Sequence, residues 1–355
     1  MSRTTQRDIA KAMGVSVMTV SNAFNRPDQL SPDLRRRVLE RATRMGYAGP
    51  DAIARHLRSG RTNTFAVVFE EQLSYAFSDP FSVAWLTAFS EVMEKRRASI
   101  TLLSVPAGDS ESLAAIQDAA VDGVAGLCAD QPAIIRSRER GLPTVYCTMA
   151  HRLGTEPAAG DYVAIDDYAA AIEVGRHLRR LGHTRVFLLI ETAYRGQPAL
   201  TEYRPEELAA LMNAYVGVGY LDTLHRVRGV LEGLGDAEVS IVVAGTNSRA
   251  AGHAAGSLVL DRADRPTAVV AVSDVMALGV MDACRQRDLT PGDDISVVGF
   301  DDLPEAVAAG LTTVHQPIRD KGRIAAELLL DPDRPDRQII LPHELIVRRS
   351  TRPVA

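Results

Sequence analysis

The segment Ser16-Val17-Met18-Thr19-Val20-Ser21-Asn22 sets small hydroxyls, one amide and apolar side chains at helical spacing. On a helix, Val20 falls on a buried face. Ser16, Val17, Met18, Thr19, Ser21 and Asn22 then project outward. An enzyme core has no use for such a face. A helix lying in a DNA groove does, because hydroxyls, amides and methyl groups meet base edges and phosphate oxygens there.

The surrounding residues have to hold that face in place. Ile9, Ala10 and Met13 carry a helical apolar period, Gly14 and Val15 interrupt it, and Val20, Ala23 and Phe24 continue it. Two short helices joined by a tight glycine turn form a helix-turn-helix. Ala10 is small where the helices cross, Gly14 takes a turn conformation that a bulky side chain resists, and Val20 fills the gap between the helices. Thr5 and Asp8 fit a capping box that starts the first helix at Gln6. The second helix begins near Ser16 or Val17. A third has Ser31 as N-cap, Pro32 in its first turn and Gly46 as its stop. Ser16, Thr19, Ser21, Asn25 and Ser31 read as phosphate ligands, which position a protein on DNA without specifying sequence. Caps or solvated surface are the alternative for each, and two amphipathic helices of an ordinary bundle are the alternative for the whole.

Charge separates this region from the rest. Residues 1–62 hold 12 Lys and Arg against 5 Asp and Glu, a net of +7, whereas the remainder holds 28 against 40, a net of −12. A basic arm on an acidic body points to a nucleic-acid-binding head. Between them, residues 49–63 are short and basic, a linker too short to be a stable helix alone. Cys128, Cys147 and Cys284 are far apart and form no CxxC or Cys/His cluster, so they read as buried reduced thiols. The opening residues have no apolar core of a secretory signal, and no apolar run is long enough to span a bilayer. A cytoplasmic protein without a membrane partner is the expectation.

From Thr64 onward, continuous apolar strands alternate with amphipathic helices. Such strands are buried on both faces, as in parallel sheets, and their number calls for two doubly wound subdomains. The fold class is therefore an all-α helix-turn-helix headpiece (1–49), a linker (50–61) and an α/β body (62–355). The body is read as one subdomain of about 62–163 and 293–320 and another of about 164–292 and 321–355, with crossings near Val163, Asp293 and Asp320. Residues 194–219 find no place in this scheme. Ligands of open α/β sheets bind at the carboxyl ends of strands. Tyr75, Phe77 and Asp79 follow the first strand of the body. Asp274 follows the strand at Ala268–Ser273, as a ligand contact or as a helix N-cap. No G-x-S-x-G, P-loop, H-E-x-x-H or strand-bound G-x-G-x-x-G occurs, so no catalytic residue, metal or cofactor is assigned. An α/β enzyme or a free-standing solute-binding protein remain the competing classes.

The segment TTQRDIAKAMGVSVMTVSNAFN resembles the headpiece of the lactose/galactose repressor (LacI/GalR) family of bacterial transcription regulators. DAIARHLRSGRT resembles that family's hinge helix. HLRRLGHTRV, RVRGVL, RPTAVVAVSDVMALGVMDA, DDISVVGFDD, LTTVHQP and LIVRRST resemble later family segments in the family's order. The resemblance implies a homodimeric repressor on double-stranded, pseudo-palindromic DNA. It also implies a sensor built like a periplasmic sugar-binding protein, with a small-molecule effector, a sugar or other metabolite, between its subdomains. It places base-edge contacts on Val17, Met18 and Asn22, and a minor-groove wedge on Leu57. Most members carry Arg where this chain has Asn22; Arg suits guanine, whereas Asn suits adenine. Arg226 matches the family's R-x-x-G, and Asp274 its ligand-binding Asp. Thr148 stands where the family often has an Asp after the strand, a departure that bears on polyhydroxylated ligands.

Overall fold

The computed structural model describes residues 4–47, 49, 61–69, 71–105, 110–127, 137–147, 160–192, 199–207 and 221–354. Leu57, Thr148, Cys128 and most of the 50–61 linker lie outside the described residues. The chain divides into two units, residues 1–62 and residues 63–355.

In the first unit, α1 (Gln6–Met13), α2 (Val17–Asn25) and α3 (Pro32–Arg44) enclose a small core of Ile9, Ala10, Val20, Ala23, Val38 and Ala42. Asp8 accepts from the Thr5 amide at 2.8 Å, which opens α1. Gly14 closes it in the left-handed region, at φ +65°, a conformation that costs glycine nothing. Pro32 sits in the first turn of α3, and the Arg35 guanidinium donates to the Ala23 carbonyl at 3.2 Å, tying α3 to the end of α2.

The second unit holds two sheets. The first runs β12-β5-β4-β3-β1-β2, and every adjacent pair in it is parallel. Its strands are β1 (Thr64–Phe69), β2 (Ser99–Ser104), β3 (Gly123–Leu127), β4 (Thr144–Tyr146), β5 (Asp161–Ala164) and β12 (Gln338–Ile340). The second runs β10-β9-β6-β8-β7. Here β6 (Arg185–Glu191), β8 (Glu238–Gly245), β9 (Ala268–Ala271) and β10 (Ser296–Val298) are parallel, and β7 (Thr201–Tyr203) adds an antiparallel edge. That edge strand gives part of 194–219 a place. β11 (Thr313–His315) and β13 (Glu344–Ile346) form a separate antiparallel pair.

The assignment of 293–320 to the first subdomain is corrected. β10 pairs with β9, so the chain stays with the second sheet past Asp293. The assignment of 321–355 to the second subdomain is corrected in part. Helix Ile318–Leu330 packs on helix Pro80–Lys95 and leads into β12 beside β5, so the first subdomain takes about 318–340. The chain then returns through β13. The physical reason is that an apolar strand has the same sequence in either sheet, and only its non-local pairing decides.

Two helix pairs of the second subdomain cross closely because of glycines. A Cβ at Gly252 would sit 2.1 Å from the Met276 carbonyl, which forces helix Arg249–Leu260 onto helix Asp274–Arg285. A Cβ at Gly229 would sit 2.4 Å from the Tyr168 carbonyl, which brings helix Leu221–Leu234 onto helix Asp167–Arg180.

Candidate functional site

On the headpiece, the outward face of α2 presents Met18 at 69% exposure and Val17 at 42%. These two apolar side chains stand side by side and exposed on this face. Ser16 Oγ caps α2 by accepting from the Thr19 amide at 3.0 Å, and it meets the Thr19 hydroxyl at 2.9 Å. Ser31 Oγ caps α3 from the Leu34 amide at 3.4 Å. Asn25 donates to Ser21 Oγ at 3.3 Å, and Asn22 donates to Gln29 Oε1 at 3.2 Å. Ser16 and Ser31 thus have cap roles in the protein alone, and the α2 polar groups are pre-ordered by short intrahelical or adjacent bonds.

In the body, a cavity of about 110 Å³ lies at the carboxyl ends of strands from both sheets. Such a volume holds a small metabolite rather than a single water. Phe69 ends β1 and Leu127 ends β3, at the point where the first sheet reverses its order. Glu191 ends β6, Thr246 and Asn247 follow β8, and Val272 and Ser273 follow β9. Helix Pro80–Lys95 contributes Phe81 and Ser82, and helix Leu221–Leu234 contributes Asp222, Thr223 and Arg226.

Tyr75 and Asp79 line this cavity. The Asp79 amide donates to the Tyr75 carbonyl at 2.9 Å, a helical turn that puts the two on one side. Phe77, two residues from each, is 61% exposed and is not among the residues that line the cavity. Asp79 caps helix Pro80–Lys95 through the Ser82 amide at 2.9 Å and the Ser82 hydroxyl at 2.7 Å, while burial raises its pKa.

Arg226 is nearly enclosed. Its Nε donates to Asp167 Oδ1 at 2.9 Å, its Nη1 to the Val272 carbonyl at 2.6 Å, and its guanidinium lies 3.9 Å from the Phe300 ring centre. Burial works against its charge, but Asp167, Asp222 and Asp301 outweigh that and raise its pKa.

Asp274 is fully buried and is not among the residues that line the cavity. Oδ2 accepts from the Leu303 amide at 2.8 Å and Oδ1 from the Thr313 hydroxyl at 2.6 Å. It is not the N-cap either; Ser273 is, accepting from the Met276 amide at 3.3 Å. The carboxylate instead ties β9's helix to the chain before and within β11. Burial pushes its pKa up to about 6.

The cavity's other ionisable residues were not assigned from sequence. Asp301 lines it at φ +125°, a region left largely to glycine. Its Oδ1 accepts from Gln316 Nε2 at 2.6 Å, and Gln316 in turn accepts from the buried Lys321 ammonium. Burial and the nearby Asp274 and Asp79 hold Asp301 well above the usual carboxylate range, against Arg226. Glu191 accepts from the Thr223 hydroxyl, and burial, then Asp222, push it up to about 7. The strand-end rule that selected Tyr75 would have found Glu191, Asn247 and Ser273 had it been applied to every strand. Among the described residues no His, Cys, Asp and Glu cluster could hold a metal ion. No helix there is long and apolar enough to cross a membrane.

Residues 5–49 match a family described as bacterial regulatory proteins, lacI family, and residues 176–351 match a periplasmic binding protein-like domain. An HTH-type transcriptional regulator of Mycobacterium tuberculosis is 36% identical, with 99% of this chain and 98% of that protein covered. The crystal structure of a LacI-family transcriptional regulator from Corynebacterium glutamicum is similar with a TM-score of 0.68 at 29% identity, covering all of both chains. A complex of the transcriptional regulator CelR with cellobiose is similar with a TM-score of 0.62 at 25% identity, covering 98% of this chain and 100% of that one.

Proposed function

This chain belongs to the lacI family of bacterial regulatory proteins, which are DNA-binding transcription regulators, and on that premise we propose that it is a cytoplasmic, homodimeric repressor whose operator affinity is set by a small molecule in the cavity between its subdomains. It acts by binding and not by catalysis. Two headpieces read a pseudo-palindromic operator. Val17, Met18 and Asn22 meet base edges, Thr19, Ser21 and Asn25 meet phosphates, and Leu57 wedges the central step.

The observation that carries the reading is the pairing of an exposed, pre-ordered α2 face with a cavity at the strand ends of both sheets, lined by apolar and ionisable side chains. The chain passes between the two subdomains beyond β5, ahead of helix Ile318–Leu330 and beyond β12. A ligand touching Phe69 and Asp79 on one side and Glu191 and Arg226 on the other favours closure about those passages, a hinge motion. The complex of the similar regulator CelR with cellobiose supports a small-molecule effector. Arg226 and Asp301 are the polar anchors of that ligand.

Electrophoretic mobility shift with genomic fragments tests the proposal, with and without candidate metabolites. Selective retention of a fragment with a two-fold repeat, altered by a metabolite, supports it. Absence of any sequence-selective retention rejects it.

A further inference from the structure

Tyr75 and Asn247 meet across the cleft between the two subdomains. Tyr75 stands on the short helix Leu73–Ala76 that follows β1, in the first subdomain, and Asn247 follows β8 in the second. The Asn247 carboxamide donates from Nδ2 to the Tyr75 hydroxyl at 3.0 Å. Neighbours on each side fix that bond. Ser273 Oγ accepts from the Met276 amide at 3.3 Å as the cap of helix Asp274–Arg285, and its hydroxyl proton goes to Asn247 Oδ1 at 2.5 Å. With Oδ1 turned to Ser273, the same amide turns Nδ2 to the tyrosine. On the other side, the Tyr75 carbonyl accepts from the Ser78 and Asp79 amides at 2.8 and 2.9 Å, and Asp79 caps helix Pro80–Lys95. A line of hydrogen bonds therefore joins the starts of two helices that belong to different subdomains.

Resting on the proposed coupling of the cavity to the headpiece, we infer that the Tyr75–Asn247 bond is a latch. It holds the two subdomains together over the cavity by a protein–protein contact, and so sets operator affinity before any effector arrives. Tyr75, Asn247 and Ser273 all line the cavity, so the latch lies where an effector enters. A hydrogen bond of ordinary net strength shifts an opening equilibrium about three- to tenfold. That is enough to bias a hinge without locking it, which a switch between two arrangements requires. The bond also gives Tyr75 a role that its ring alone does not explain, because the phenol oxygen is the part that crosses the cleft.

The test is hydrogen–deuterium exchange of the full chain without ligand, read by mass spectrometry. Tyr75→Phe removes one oxygen and keeps the ring. It should speed exchange about three- to tenfold in residues 222–228 and 318–322, which reach the cavity apart from the bond, and leave β3 and β9 protected. Asn247→Ala should do the same. The double variant should exchange no faster than either single one, since all three lack the same bond. Faster exchange confined to residues 72–79 and 245–251, or effects that add in the double variant, overturns the latch. If Asn247→Ala folds poorly, Tyr75→Phe alone decides by where its exchange rises. Operator retention is measured on the same samples by mobility shift, and Tyr75→Phe should change it about threefold or more. Altered exchange with unchanged retention overturns the link to DNA and keeps the latch. A wild-type chain that retains no fragment rejects the regulatory reading, and the exchange data then judge the latch by themselves.

Discussion

Arg226 reaches Asp167 at 2.9 Å because Gly229, one helical turn later, has no side chain. A Cβ there would lie 2.4 Å from the Tyr168 carbonyl and 2.7 Å from the Ala171 Cβ. The R-x-x-G spacing thus has a physical content: the arginine needs its partner on the neighbouring helix, and the glycine lets that helix come close. Gly229→Ala should destabilise the body by about 1–3 kcal/mol through overpacking, and widen the Arg226–Asp167 gap. Urea unfolding and ligand titration on the same variant check this. A variant with wild-type stability and ligand affinity would show the crossing to be more yielding than its geometry.

Removing Arg226 outright is a poor test of ligand binding. Arg226→Ala leaves Asp167 buried without its partner, which costs roughly 3–5 kcal/mol. Arg226→Lys keeps the charge but loses the planar donor fork. It should remain folded while its effector response weakens by about tenfold or more, equivalent to 1.4 kcal/mol. Unchanged response in the Lys variant would take Arg226 out of the ligand site.

Asp274 illustrates how far sequence alone reaches. Its place after a strand and its family match both point to the ligand, yet the carboxylate serves Leu303 and Thr313. Asp274→Ala should therefore cost about 2–6 kcal/mol of stability, because two buried donors lose their acceptor at roughly 1–3 kcal/mol each. Thermal unfolding without any ligand is the decisive measurement. A variant as stable as the wild type, but blind to effector, would restore the ligand role.

The elements that were legible are those fixed by neighbours in sequence. The α1 capping box, Gly14 and the Ser31–Pro32 start of α3 are local devices, and each stands where the sequence places it. The long apolar strands are legible for the same reason. Which sheet owns β10 is not, because Ser296–Val298 would satisfy either sheet. The short strands β12 and β13 have only three residues each and a partly exposed face, so no period announces them. Glu191 escaped because an acidic residue at a strand end reads as a solvated loop until the opposite subdomain covers it.

Glu191 gives the body a pH dependence of definite sign. Its ordinary value is 4.5 and in the folded protein it stands at about 7, so the native state binds its proton more tightly than the unfolded chain. The stabilisation is complete below about 4.5 and is lost as pH rises through about 7. At 1.36 kcal/mol per unit the whole change is roughly 3 kcal/mol. Asp274, raised to about 6, adds in the same direction. Glu191→Gln should gain stability over the wild type above pH of about 7 and show a flatter profile between these limits. Chemical denaturation across that range checks it, and a parallel pair of profiles would contradict the assignment.

Operator binding should weaken steeply with salt. Each phosphate neutralised releases counterions, so log affinity should fall by about 0.9 per log unit of salt for every contact. Hydroxyl and amide contacts release few, and the headpiece's charge of +7 over residues 1–62 supplies most of the slope. Mobility shift in a salt series measures it. A nearly salt-independent affinity would remove the headpiece from DNA recognition.

On the proposed reading, Asn22 should set a sequence preference different from that implied for family members with Arg in its place. In the free headpiece one of its amide N–H groups donates to Gln29 Oε1 at 3.2 Å. A carboxamide has two such donors and one acceptor oxygen. The second N–H can then donate to adenine N7 while Oδ1 accepts from adenine N6, a bidentate pair that guanine cannot complete. Gln29 fixes which way the amide points and so which edge it offers. An A·T pair is expected at the facing position of each half-site, preferred by about 1–3 kcal/mol. Asn22→Arg should move that position towards G·C, and Gln29→Ala should relax it without replacing it. Selection of binding sites from a random pool, with the wild type and the Asn22→Arg, Asn22→Ala and Gln29→Ala variants, reads all of this at once. If Asn22→Arg and Asn22→Ala both keep the wild-type preference, Asn22 touches only the backbone, and specificity resides in Val17, Met18 or the shape of the operator.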